Sequence, residues 1–193
     1  MTQRKVAECY VVLVRHASRE RRWDKREAEH KIRNEQRYAR AISDFKTEGE
    51  PLAYALAARL CDELKDQRQS FEVRNIVYGE HLAAKQTAET FEGVLRKREL
   101  LKGERRCQPW LTPKKHTQHE IMVGVRKIIE QTRVIRNRSA NLQPKPVCIF
   151  IGHQPYLTRI ARDFLHGALP GDSLPLGPSE AACLRLGDKQ YLW

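Results

Sequence analysis

The sequence predicts an α/β fold with a mainly parallel sheet, and two observations carry that expectation. Val11-Val12-Leu13-Val14 and Val147-Cys148-Ile149-Phe150-Ile151 are uninterrupted apolar runs of strand length. A strand apolar on both sides is one buried on both faces, the condition of a parallel sheet covered by helices. Segments of helical spacing alternate with the strand runs, which gives the element order of a three-layer α/β/α domain. Each run stops abruptly at polar residues, Arg15-His16-Ala17 after the first and Gly152-His153-Gln154-Pro155 after the second. Open α/β sheets bind ligands outside the carboxyl ends of their strands, so both histidines stand where chemistry is expected.

The remaining elements follow in chain order. From Ser18 to Ser43 the chain is dominated by charge, with thin apolar support from Trp23, Ile32, Tyr38 and Ile42. Good helix formers fill this stretch and Pro and Gly are missing from it, which predicts a charged helical insertion at about 19–45. Two readings of it stand: a lid beside the site, or a solvated helix with no role in it. Pro51 suits a helix first turn, and Leu52, Leu56, Leu60 and Leu64 at i, i+4 spacing predict the core-facing stripe of that helix. Val73 to Tyr78 reads as a strand, and Gly79 to Phe91 as a loop that becomes a helix. Arg96 to Arg106 reads as a basic, turn-rich connection. Ile121, Val125, Ile128 and Ile129 predict a helix over 118–133, and Leu157, Ile160, Ala161, Phe164 and Leu165 another over 156–165. Gly167 to Pro178 is a Gly/Pro-rich loop, and Ala181 to Leu186 a final strand closed by a turn at Gly187-Asp188. No repeat or linker divides the chain, so residues 1–193 are expected to form a single domain.

Hydrophobic residues make up 40% and charged residues 31%, a soluble composition without the ~18 uninterrupted apolar residues of a membrane helix. No apolar signal region precedes the first strand, so a cytoplasmic protein is expected. Five cysteines, Cys9, Cys61, Cys107, Cys148 and Cys183, are scattered without a CxxC pair, which predicts free thiols in a reducing compartment and no metal site. The formal charge of +12 is spread along the chain without a nucleic-acid-binding motif. A positive field that attracts phosphorylated substrates is the economical account, with nucleic acid held only by nonspecific charge attraction at low salt.

With those motifs in view, the sequence resembles the histidine phosphatase superfamily, the phosphoglycerate mutase-like proteins, and in particular its SixA-like phosphohistidine phosphatase branch. Arg15-His16-Ala17 matches the first family signature and Gly152-His153-Gln154-Pro155 the second. Between them, Thr47-Glu48-Gly49-Glu50-Pro51 is similar to the family pattern before an Ala-rich helix, and Gln86-Thr87-Ala88-Glu89 to its helix start. The matches run in order over about residues 8 to 187. One departs: the arginine that the family carries before Gln-Thr-Ala, its second guanidinium on the phosphate, falls at Ala83.

The resemblance implies a phosphoglycerate mutase-like fold and a phosphatase that needs no metal or cofactor. His16 is then the nucleophile that forms a phosphohistidine, and Arg15 is the fork that pairs with phosphate oxygens. His153 donates to the transferring group, and Gly152 belongs to the substrate-binding edge. Arg19 and Arg22 are the candidates for a cation replacing the missing arginine, against the alternative of plain surface charges. Lys85, two residues along the helix, is expected to point away from the face of Ala83. Glu80 and His81 are the candidates for the leaving-group acid, against the alternative of a solvated loop. The expected substrate is phosphohistidine on a protein or a small phosphorylated compound. The competing expectation, raised by Ala83, is a relative that binds a phosphorylated ligand or partner without efficient turnover.

Overall fold

The structure, a computed structural model, describes residues 8–17, 45–66, 70–112, 116–133, 144–165, 176, 180–186 and 190–191. The expected insertion at 19–45 lies outside the described residues, apart from Phe45. Six strands form one sheet: β1 (Tyr10–Arg15), β2 (Phe71–Tyr78), β3 (Leu101–Cys107), β4 (Lys145–Gly152), β5 (Ala181–Arg185) and β6 (Gln190–Tyr191). Their order is β3-β2-β4-β1-β5-β6, with β1 to β4 mutually parallel, β5 antiparallel to β1, and β6 antiparallel to β5. The helices are α1 (Glu50–Asp66), α2 (Leu82–Lys97), α3 (Gln118–Arg133) and α4 (Tyr156–Leu165). None of the described helices is long and apolar enough to cross a membrane.

The two apolar runs became the neighbouring central strands β1 and β4, and their alternation builds two cores. Val11 and Leu13 of β1 join Cys148 and Phe150 of β4 on one face, under Ile121, Val125 and Ile128 of α3 and Leu157 and Ile160 of α4. Val12 and Val14 join Val147, Ile149 and Ile151 on the other face, under Leu60 of α1 and Ala88 and Phe91 of α2. Helices therefore cover both faces, which is the expected α/β/α layering. Each fully buried Val, Leu or Ile contributes roughly 1.5–3 kcal/mol, so the central strands are the fixed frame to which the site is attached.

Three expectations are corrected. The core-facing stripe of α1 keeps Leu60 and Leu64, with Leu56 half-buried against the core, but it excludes Leu52, which is 51% exposed, and takes in Ala53, Ala57 and Cys61 instead. The buried face thus drifts from the 53/57/61 row at the start of the helix to include the 60/64 row at its end, and the small alanines let α1 pack against α2. Arg96 to Arg106 is not a turn-rich connection: α2 runs to Lys97 and β3 follows from Leu101. Arg105 is held there by Glu89 and Glu92 of α2 and lies 5.4 Å over the ring of Tyr78. Gly103 is required in this strand, since a Cβ would stand 1.6 Å from the Arg74 carbonyl oxygen, where β2 is irregular between Val73 and Asn75. Finally, β5 is not the last strand, because Gln190–Tyr191 returns antiparallel beside it.

Candidate active site

The register of the sheet assembles the site. Arg15 and Gly152 are the last partners in the β1–β4 ladder, so the residues that follow, His16 and His153, emerge side by side at the carboxyl edge. The His16 backbone N–H donates to the Gly152 carbonyl at 3.2 Å, which carries the ladder to the histidine itself. His16 Nε2 and His153 Nδ1 are 2.8 Å apart, with near-parallel rings 5.0 Å between centroids. A nitrogen–nitrogen contact of that length needs one proton between the two rings. When His153 Nδ1 carries it, the His16 Nε2 lone pair accepts that hydrogen bond and is freed to act as a nucleophile once His153 turns its N–H elsewhere. His16 is 2% exposed, so the surrounding fold and not solvent sets its orientation.

Arg15 is anchored from the far end of the chain. Its backbone N–H donates to the Glu180 carbonyl at 3.0 Å, and its Nη1 donates to the Leu176 carbonyl at 2.8 Å. Its Nε is buried and finds no hydrogen-bond partner among the described residues. A buried guanidinium N–H without an acceptor is costly, and an anionic oxygen is the group that would satisfy it.

Helix α2 closes another side. His81 is its N-cap and makes no side-chain cap hydrogen bond. Ala83, where the family resemblance calls for an arginine, is buried in the first turn, whereas Lys85 is exposed, so the two point apart as expected. The Thr87 hydroxyl, one turn further on, accepts from the Ala17 N–H at 3.1 Å and donates to the Ala83 carbonyl at 2.7 Å. Beyond β2, the Gly79 N–H donates to the Ile151 carbonyl at 3.4 Å, which brings the start of the Glu80-His81 turn beside the end of β4. The Glu80 N–H donates to the Thr112 hydroxyl at 2.9 Å, and its side chain is exposed while His81 is half-buried.

The structure thus brings together Arg15, His16, Gly152 and His153. It places Glu80 and His81 at the same sheet edge, one strand over. Arg19 and Arg22 lie outside the described residues. Sequence reasoning gave no role to Thr87, although it stands inside the Gln-Thr-Ala motif, and none to the Leu176 and Glu180 carbonyls, which carry no side-chain signal. Among the described residues no group of three His, Cys, Asp or Glu side chains is arranged to hold a metal ion.

The described elements thus form a six-stranded α/β/α sheet with paired histidines at the carboxyl edge of its central strands. Comparison with solved structures agrees on the fold. The chain is similar to a phosphoglycerate mutase from Plasmodium falciparum, with a TM-score of 0.51 and 13% identity over 96% of this chain and 88% of that one. The fold is therefore phosphoglycerate mutase-like. A weaker likeness, at a TM-score of 0.45 and 14% identity over 95% of each chain, is to a SixA phosphohistidine phosphatase candidate from Agrobacterium tumefaciens. No protein-family model and no curated protein matches the sequence.

Proposed function

We propose that the protein is a metal-independent phosphatase that works through a phosphohistidine on His16. The observation that carries this is the contact between His16 Nε2 and His153 Nδ1, next in sequence to Arg15, whose guanidinium has a buried, unsatisfied N–H. In the first step the His16 Nε2 lone pair attacks phosphorus, the new N–P bond forms, and the bond to the leaving atom breaks, an oxygen in a phosphate ester or a ring nitrogen in phosphohistidine. That atom takes a proton from an acid at the same edge, for which Glu80 and His81 are the candidates. In the second step water attacks phosphorus and yields a proton to the conjugate base left by the first step, the N–P bond breaks with its electron pair returning to Nε2, and phosphate leaves. Arg15 neutralises charge on the equatorial oxygens in both steps, and His153 turns its Nδ1–H from His16 to the transferring group. Phosphohistidine on a protein and small phosphorylated compounds are the substrate classes proposed for it.

Ala83 favours a second reading. With an alanine where the second guanidinium would stand, the site binds a phosphorylated ligand or partner without efficient turnover. Loss of one preorganised donor typically costs ~10²–10³ in rate. The deciding experiment is metal-free hydrolysis of an aryl phosphate and of phosphohistidine by wild type, His16→Ala and Ala83→Arg. Turnover in wild type that His16→Ala abolishes establishes the phosphatase. A silent wild type that Ala83→Arg activates establishes the binding role. Silence of wild type and Ala83→Arg on both substrates, with no phosphate binding by titration, overturns both.

A further inference from the structure

We propose that Thr87 is a positioning residue for the His16 nucleophile, a role that rests on the phosphatase reading for its consequence but not for its geometry. The residue is 1% exposed, in the second turn of α2, and it belongs to no catalytic contact. Its hydroxyl back-bonds to the Ala83 carbonyl at 2.7 Å, four residues earlier, the usual habit of a threonine inside a helix. That donation fixes the hydroxyl hydrogen and turns the oxygen lone pairs away from the helix. The Ala17 N–H occupies one of them at 3.1 Å.

Ala17 follows His16 directly and is 4% exposed, so its N–H must find an acceptor inside the protein. Thr87 supplies it from a helix seventy residues away in sequence. The methyl of Ala17 is held from the other side by Phe45 and Ala53, and the Phe45 ring lies so close over Gly49 that a Cβ there would stand 2.7 Å from it. The peptide after the nucleophile is thus clamped on both sides: by a hydrogen bond to α2 and by packing against α1 and the turn that precedes it. His16 Nε2 meets His153 Nδ1 at 2.8 Å only while that peptide stays in place. A valine at 87 keeps the shape, removes the acceptor and leaves a buried N–H that is satisfied only by moving the loop.

The test compares wild type with Thr87→Val, Thr87→Ala and Thr87→Ser, each checked for folding by circular dichroism. Imidazole ¹⁵N–¹H spectra read the His16–His153 hydrogen bond directly, without any need for turnover. Phosphorylation of His16 by phosphoramidate, without metal, reads the chemistry. The His–His resonance of the wild type is expected to persist in Thr87→Ser and to be lost or displaced in Thr87→Val and Thr87→Ala. The phosphorylation rate is expected to fall about 10- to 100-fold in Val and Ala, at little change in half-saturating phosphoramidate, and to return in Ser. An unchanged His–His resonance in folded Val or Ala overturns the positioning role. Should wild type refuse phosphoramidate while the resonance still follows the Thr87 hydroxyl, the phosphatase reading fails and the positioning role stands. If Val does not fold, the Ala and Ser pair carries the comparison.

Discussion

Burial pushes the Cys9 thiol up to about 11 and the Cys183 thiol up to about 12, and it raises those of Cys61 and Cys148 as well. All four sit in the two cores, whereas Cys107 is exposed at the carboxyl end of β3. Its thiol is also raised, by partial burial and then by the charge of Glu80. Alkylating reagents attack the thiolate, so a raised pKa means less reactive sulfur at neutral pH and a rate that keeps climbing as pH rises beyond the ordinary thiol range. Native protein is expected to take up one equivalent of iodoacetamide, at Cys107, and denatured protein five, as read by intact mass and peptide mapping. A second rapid native label would contradict the core as described. The same distinction between inside and outside explains which site residues could be read from the sequence. His16 and His153 were legible because each ends an apolar run, and strands that run parallel bring such ends together. The Thr87 hydroxyl and the Leu176 carbonyl reach the site across 70 and 161 residues, and nothing local marks either as a partner.

Among the helix ends, that of α2 shows a conflict between sequence and geometry. Leu100 N–H donates to the Leu95 carbonyl at 2.9 Å and Glu99 N–H to the Arg96 carbonyl at 3.0 Å, the paired hydrogen bonds of a Schellman ending. That ending places Glu99 at φ 60°, in the left-handed region where a Cβ is penalised and glycine is not. Glu99→Gly is therefore expected to stabilise the protein by up to ~1 kcal/mol, seen as a higher midpoint in urea at unchanged slope. A lower midpoint would mean that the Glu99 side chain outweighs the relieved backbone. The ending also turns the chain straight into β3, the strand that was hardest to read from sequence. An edge strand keeps charge on itself, which blocks pairing with other chains, and Lys102, Glu104, Arg105 and Arg106 hide the period of two in Leu-Lys-Gly-Glu-Arg-Arg-Cys. Central strands have no such need, so β1 and β4 announced themselves. Leu52 misled for a different reason: an i, i+4 row of 3.6-period residues drifts around the helix, so its first leucine falls off the buried face that Leu60 and Leu64 keep, and Ala53 and Ala57 fill that face where α1 and α2 approach.

Over the whole molecule, a net charge of +12 and a pI of about 9.7 create a field that acts on any anion before contact. The field and the site make separable contributions to binding a phosphorylated ligand. Screening shortens the reach of the field from about 10 Å at 0.1 M salt to about 3 Å at 1 M. The hydrogen bonds that Arg15 would make are short, partly buried and far less exposed to screening. Affinity of wild type for inorganic phosphate is therefore expected to fall with added salt and then level off at the part that Arg15 supplies. Arg15→Ala should start weaker and lose the plateau, because only the screened field remains. Duplex DNA, held by the field alone, should show a steep salt dependence that is the same for wild type and Arg15→Ala. Isothermal titration of phosphate and DNA across a salt series measures all of these. A phosphate plateau that survives Arg15→Ala would place the anion elsewhere on the basic surface. A DNA affinity that drops with Arg15→Ala would make the sheet edge part of a nucleic-acid site, and the excess of Lys and Arg would then need an explanation other than attraction of small phosphorylated ligands.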